Sequence, residues 1–312
     1  MTVDAGSSLR GIAFKILSVV IFVMMQTCIK AAGADVAAGQ ITFYRSAFAL
    51  IPIIAYLAWR RDLRTAVRTD RPFGHFKRGL FGVMSMAFGF YGLVHLPLPE
   101  AIAIGYASPL MAVVFAALVL REQVRLYRWT AVVAGMVGVL IVSWPKLTLF
   151  GEGGFASTQA LGAAAVLMGA VLSGLAMVQV RQLVQTERTP TIVFYFSLTG
   201  ALLSLVSLPF GWAVLTGEQA MLLIASGICG GIAQIFLTES YRHADVSAVA
   251  PFEYTSFILG IAIAFVIFGD VPTAPMVTGT AITVAAGIFI VYRERRLGLE
   301  RKAARKASAP PN

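Results

Sequence analysis

The chain reads as an all-α integral membrane protein of ten transmembrane helices, arranged as two inverted five-helix repeats. Three observations carry this. Of 312 residues, 58% are hydrophobic and only 13% charged, with a mean hydropathy of +0.80; an ordinary soluble domain is roughly 25% charged. The hydrophobic residues fall into successive runs, each long enough to cross a hydrocarbon layer of ~30 Å, for which about 20 helical residues suffice. The second half of the chain then repeats the pattern of the first. A water-soluble surface cannot be made from such a composition.

Hydropathy, punctuated by Pro, Gly and charge, sets the elements in order. Gly11 to Ala31 follows a polar start; it is too long for a signal-peptide core and has no convincing cleavage site, so it is a retained first helix. Ala37 to Trp59 stops at Arg60-Arg61, and Gly79 to Leu96 starts after the basic stretch ending at Arg78. Pro99 to Leu120 stops at Arg121, and Trp129 to Trp144 lies between Arg128 and Pro145. In the second half, Leu161 to Val180 stops at Arg181 and Thr191 to Val214 follows Pro190. Ala220 to Tyr241 stops at Arg242, Val246 to Phe268 stops at Gly269-Asp270, and Met276 to Tyr292 stops at Arg293. The organisation is therefore an N-terminus over 1–10, a first repeat over 11–144, a periplasmic linker over 145–160, a second repeat over 161–292 and a basic tail over 293–312.

Ten crossings put both termini on one side, and the side follows from the enrichment of Lys and Arg in cytoplasmic loops. Seven such residues lie between Arg60 and Arg78 and seven more between Arg293 and Lys306, while the opposite face keeps only Lys30 and Lys146. Both termini are expected in the cytoplasm. The net charge of +10 is dispersed over short loops, which fits anionic lipid headgroups and not nucleic acid. Cys28 and Cys229 both lie in apolar runs and can form neither a disulfide framework nor a zinc site. No HExxH, Walker A sequence, clustered His and Cys, or GxSxG elbow is present, so the expectation is no metal, no cofactor and no enzyme.

The repeat decides the architecture. The stretch from Tyr91 has a counterpart from Tyr241; at an offset of 148, Tyr106 meets Tyr254, Ser108 meets Ser256 and Glu122 meets Asp270. At an offset of 151, Phe43, Tyr44 and Ser46 meet Phe194, Tyr195 and Ser197. Five helices are an odd number, so the second copy enters from the opposite face. Charge agrees, because the Glu122 loop is rich in arginine and the Asp270 loop has no Lys or Arg. Inverted repeats are a basis for alternating access.

The Tyr91 to Ala101 approach to helix four, Pro109, the Leu120-Arg121-Glu122 exit, Gly135 with Gly138, the run from Ala244 through Ser247 into Ala250-Pro251-Phe252-Glu253-Tyr254, and Phe268-Gly269-Asp270 together resemble the EamA-type ten-helix branch of the drug/metabolite transporter superfamily. The resemblance covers essentially Gly11 to Tyr292 and extends to the bacterial riboflavin-importer branch. It implies a carrier in the bacterial cytoplasmic (inner) membrane, a central cavity, a small-molecule substrate, no ATP hydrolysis and no prosthetic group, working as a monomer or homodimer. Riboflavin uptake is the first expectation; export of amino acids or similar compounds is the alternative, a channel is disfavoured, and a membrane-embedded enzyme is the reading from another class.

Charges inside a membrane cost about 2.5–3.5 kcal/mol at a helix centre on insertion scales. Arg45 and Glu253 each lie about eight residues into their helices, roughly 12 Å of rise, and Glu239 sits near the cytoplasmic end of helix eight. Arg45 is read as holding a polar or anionic substrate group and Glu253 or Glu239 as accepting a proton or a substrate hydrogen bond; an internal ion pair fixing the helices is the competing reading. Pro109 and Pro251 are read as symmetric breaks in helices four and nine, each freeing a carbonyl, against ordinary kinks. Tyr44, Tyr91, Tyr106 and Tyr254 are read as stacking and hydrogen-bonding walls for a flat heteroaromatic ligand, against lipid-facing or packing aromatics. Gln234 and Gln26 are further polar candidates, against helix-to-helix hydrogen bonds. Gly227 and Gly231 form a GxxxG read as close helix packing, and His75, His95 and His243 are assigned no chemistry. These residues place the site between helices two, three, four, eight and nine.

Overall fold

The computed structural model describes residues 5–119, 121, 126–147, 158–183, 186–243 and 250–307. Ten helical elements cross the bundle: α1 (Ala5–Ala32), α2 (Ala38–Trp59), α3 (Pro72–His95), α4 (Leu98–Gly105 and Ala107–Val119), α5 (Leu126–Leu147), α6 (Thr158–Leu183), α7 (Thr189–Ser204, continued as a 3-10 turn over Leu205–Phe210), α8 (Gly217–His243), α9 (Ala250–Tyr254, Thr255–Ile263 and Ala264–Phe268) and α10 (Ala274–Ala307). No strand occurs among the described residues. Eight helices are long and apolar enough to cross a membrane. The other two are α3, diluted by His75, Lys77, Arg78 and five glycines, and α9, divided into 3-10, α and π pieces. Glu122, the 244–249 approach to α9 and most of the 145–160 linker lie outside the described residues.

Three expected boundaries move. The third helix begins at Pro72 rather than Gly79, because Pro fits the first turn of a helix, where its missing N–H is not needed; Lys77 and Arg78 thus belong to the helix and not to a loop. The break in α4 is a turn at Tyr106, three residues before Pro109. Proline has no N–H for the carbonyl four residues earlier, so Pro109 releases Gly105 and the chain turns there; the exposed Pro109 ring faces outward. Finally, α10 continues helically through the basic tail to Ala307.

Packing follows the repeat. α1 packs on α8 as α6 packs on α3, α2 on α8 as α7 on α3, and α2 on α7 and α5 on α10 close the set. Exchanging the halves maps every one of these pairs onto another member of the set. Lipid supplies no hydrophobic drive between helices, so close van der Waals approach at small residues holds them. At the α5–α10 crossing, a Cβ on Gly138 would lie 2.5 Å from the Gly279 carbonyl and one on Gly279 would lie 2.4 Å from the Gly138 carbonyl. Thr283 Oγ1 donates to the Gly135 carbonyl at 3.1 Å across the same crossing. The GxxxG of α8 does what its spacing implies, since Cβ atoms on Gly227 and Gly231 would stand 2.7 and 2.6 Å from the Tyr44 and Ala49 carbonyls of α2. Gly138→Leu is expected to cost about 1–3 kcal/mol by overpacking, lowering the melting temperature of purified protein, while Gly217→Ala, where nothing lies within 4 Å, leaves it unchanged.

Candidate substrate site

Ten crossings leave the start of α1 and the end of α10 on the same face of the bundle, here the terminal face. A cavity of about 210 Å³ lies among α1, α3, α4 and α6, sharing only the third and fourth helices with the expected set of two, three, four, eight and nine, with Gln26, Ser85, Phe90, Gly105, Ser108 and Ser173 in its wall. Its position follows from the α4 break, since Gly105, the residue whose carbonyl Pro109 releases, lines it. The wall is mixed: Phe90 and Met86 give apolar contact, the serines and Gln26 give hydrogen-bonding groups, and Gln26 Oε1 is buried without a partner. A second cavity of about 350 Å³ opens at the terminal face between α2, α7 and α8, bounded by Tyr56, Arg60, Glu187, Arg188, Thr238 and Glu239.

A seam of α1, α4 and α9 lies beside this first cavity. Tyr106, 7% exposed, shares a 2.6 Å hydrogen bond with Ser256 and meets the Tyr254 ring edge to face at 5.2 Å. The Ser256 hydroxyl in turn donates to the Glu253 carbonyl at 2.6 Å. Thus Tyr106 and Tyr254, which align between the two halves of the sequence, touch each other. Toward the terminal face, Lys15 of α1 pairs with Glu253; Lys15 is 3% exposed and Glu253 47%. Toward the opposite face, Lys30 of the same helix donates to the Leu96 carbonyl and lies 5.4 Å from the Phe268 ring, with the buried Glu100 and Asp270 as the nearby carboxylates. Fifteen residues separate the two lysines, about 22 Å along a helix.

Arg45 stands elsewhere, at the junction of α2, α3, α7 and α8. It is 5% exposed, its Nε has no hydrogen-bond partner, and its guanidinium lies 5.6 Å from the Phe196 ring. Arg78 lies over the same ring at 4.0 Å.

The expected site residues therefore do not form one cluster, and none of Arg45, Tyr44, Tyr91, Tyr106, Gln234, Glu253 and Tyr254 lines the cavity at the α4 break. Tyr106, Tyr254 and Glu253 come together in the seam, and Glu253 has a partner, Lys15, that carries the ion-pair reading of this carboxylate. Glu239 is joined by the Tyr56 hydroxyl at the terminal-face cavity, and Arg45 is held with Arg78 and Phe196. Tyr44 is stacked on Phe48 at 5.6 Å, Tyr91 packs on His95 at 4.4 Å, and neither they nor Gln234 line either cavity. Pro251 belongs to the 3-10 turn that opens the described part of α9. Lys15, Arg78, Ser85 and Ser173 escape a sequence reading. An acidic residue deep in one helix was a signal for a basic partner in another, and Lys15 in the first apolar run was available to answer it.

The pattern of the EamA-like transporter family matches the chain twice, over residues 9–144 and 160–293, one match for each group of five helices. The chain belongs to the EamA-like transporter family. It is 26% identical over 291 residues to the S-adenosylmethionine uptake transporter of Rickettsia prowazekii, covering 92% of this chain and 94% of that one. To the riboflavin transporter of Rhizobium johnstonii it is 31% identical over 292 residues, covering 92% and 90%. To the pseudopaline exporter CntI of Pseudomonas aeruginosa it is 29% identical over 286 residues, covering 90% and 93%. A solved crystal structure shares the fold at a TM-score of 0.64 and 22% identity, covering 92% of this chain and 98% of that one. The protein is a multi-pass membrane transporter.

The loops of this transporter at the terminal face are tied by one carboxylate. Glu187, between α6 and α7, accepts hydrogen bonds from Thr69 Oγ1 at 2.6 Å and from the amides of Asp70 and Arg71 at 3.0 and 3.2 Å, just before α3 begins. Desolvation opposes its ionisation, but the Thr69 and backbone donors with His75 outweigh that and hold the carboxyl below the usual carboxylate range. A depressed folded-state value means that the ionised carboxylate stabilises the fold above the unfolded value, and that this contribution disappears as pH falls through the folded one. Glu187→Gln is expected to lower the melting temperature at neutral pH, and the gap to the wild type closes as the pH is taken below the carboxylate range in detergent-solubilised melts.

Proposed function

We propose that this transporter is a secondary carrier of the bacterial cytoplasmic membrane that moves a small heteroaromatic metabolite inward by alternating access, with both termini in the cytoplasm and the two repeats inverted. The observation that carries the reading is the cavity at the α4 break, whose mixed wall of Phe90, Met86, Gln26 and serines suits a flat ring system with polar edges. In this reading α1 is the moving part. Lys15 closes it onto α9 toward the cytoplasm and Lys30 closes it onto the end of α3 toward the periplasm, so parting one contact while keeping the other opens the cavity to one side at a time. The packing set that is unchanged by exchanging the halves supports this, because the two end states can then be related by a pseudo-twofold rotation that exchanges the halves.

Riboflavin is the first solute to test, supported by 31% identity to a riboflavin transporter and by the Tyr106–Tyr254 pair beside the cavity. Expression of the chain in a riboflavin-auxotrophic bacterium that lacks its own importer is expected to restore growth at low external riboflavin; no rescue from verified membrane-inserted protein overturns the riboflavin assignment. Tyr106→Phe, which removes the hydroxyl bonded to Ser256, is expected to lower uptake severalfold at equal expression. Export of an amino-acid-like solute is the second reading, favoured by one specific observation: among the described residues no carboxylate pairs with the guanidinium of Arg45 or Arg78.

A further inference from the structure

Two arginines meet inside this bundle without a counter-ion. Arg45 Nε, Arg78 Nε and Nη1, and the neighbouring Ser46 Oγ are buried with no hydrogen-bond partner. Among the described residues neither guanidinium forms an ion pair; both lie against the single ring of Phe196, at 5.6 and 4.0 Å. A buried charge left without its counter-charge is strongly destabilising, and a ring face answers only part of it, so two guanidiniums side by side call for an anion that the described residues do not supply.

The side-chain directions sharpen the point. A long cationic side chain near a helix end turns its head toward the headgroups. Arg78 lies six residues into α3 and does the reverse: its Nη1 sits 2.3 Å from where a Cβ on Gly82 would be, one turn deeper, with Phe196 Cε2 2.6 Å from the same point. Gly82 is thus the gap that admits both. Arg45 has its own gap at Gly230, whose Cβ position lies 3.3 Å from Arg45 Nε and 2.9 Å from Met25 Sδ.

The repeat shows that packing does not need these charges. At the offset of 151 that relates Tyr44 to Tyr195, Arg45 is the counterpart of Phe196. The geometry agrees, since Gly82 faces Phe196 as Gly230 faces Arg45, and Gly79 faces Thr199 as Gly227 faces Phe48. An aromatic ring fills the position in one half, yet the other half carries a guanidinium. Ser46, next to Arg45 in the chain, also stands one side chain away from the cavity. Met86 is in the cavity wall, and its Cε lies 3.8 Å from the Gly200 Cβ position, which Ser46 Oγ approaches at 2.5 Å; Met25 precedes Gln26, also in the wall. Unbranched, flexible methionines are the side chains most easily moved aside.

We infer that Arg45 and Arg78, with Ser46, form an anion subsite that receives a carboxylate of the transported solute. Guanidinium groups match carboxylate oxygens in planar geometry, and the cavity then takes the remainder of the molecule. The inference rests on the carrier reading and favours its second solute, an amino-acid-like compound, over riboflavin, which has no anionic group at neutral pH to fill the subsite.

The test is binding to purified wild-type protein, with sodium malonate as probe, neutral malonamide and inorganic phosphate as comparisons, and sodium chloride holding ionic strength constant. Malonate is expected to raise the melting temperature saturably at millimolar concentration and malonamide is not. Arg45→Gln and Arg78→Gln are expected to melt no lower than the wild type without malonate and to lose the response, while Arg45→Lys keeps part of it. No saturable response in the wild type, an equal response in the Gln variants, or a large loss of stability in those variants with or without malonate overturns the inference. A response to phosphate alone also overturns it, leaving a phosphate site. Since no transport is measured, a protein that binds malonate through these arginines but drives no solute counterflow would contradict the carrier reading and leave the subsite standing.

Discussion

Charge inside a hydrocarbon layer is the constraint from which the rest of this structure follows. Each ionised side chain within the bundle must meet an opposite charge, a ring face, a carbonyl or a bound solute, because no water is there to solvate it. Lys15 meets Glu253, Lys30 meets the Leu96 carbonyl and the Phe268 ring, and Glu239 is joined by Tyr56. These contacts all link helices far apart in sequence, so they act as fasteners between elements that lipid alone would not hold in register. Arg45 and Arg78 lack such a carboxylate, and they occur where the pseudo-twofold relation between the halves is broken.

That broken symmetry separates what the fold needs from what the solute needs. The glycine contacts of α2 with α8 and of α7 with α3 are related by exchange of the repeats. Positions that obey the relation serve packing. Arg45 opposite Phe196 is where the halves differ and where polar groups are left without partners. A carrier requires this combination: a scaffold near enough to symmetric for two end states of similar energy, and a site that binds one solute in one orientation.

The ten helices were legible because the bilayer fixes run length, and the repeat was legible in Tyr106 with Tyr254, whose rings meet, and in Ser108 with Ser256, of which the first lines the cavity and the second is bonded to Tyr106. The start of α3 was not, because Lys77 and Arg78 look like loop residues until Pro72 is seen to open the helix. Nor was the inward turn of Arg78, which depends on the gap at Gly82. Lys15 passed unnoticed because a lysine near the start of an apolar run reads as an interfacial anchor, and its partner is 238 residues away. Pro109 pointed to the break in α4 but not to its place, since the effect of a proline falls on the carbonyl four residues earlier.

Whether the cavity at the α4 break is reached from both sides is the direct test of this account. In protein whose Cys28 and Cys229 are replaced by alanine, a cysteine substituted for Ser108 in the cavity wall can be labelled with a membrane-impermeant maleimide in oriented vesicles. The account predicts labelling when the reagent is supplied on either face, with each side blocking the other. Labelling from one face only, at every temperature and solute condition under which the vesicles transport, would contradict it.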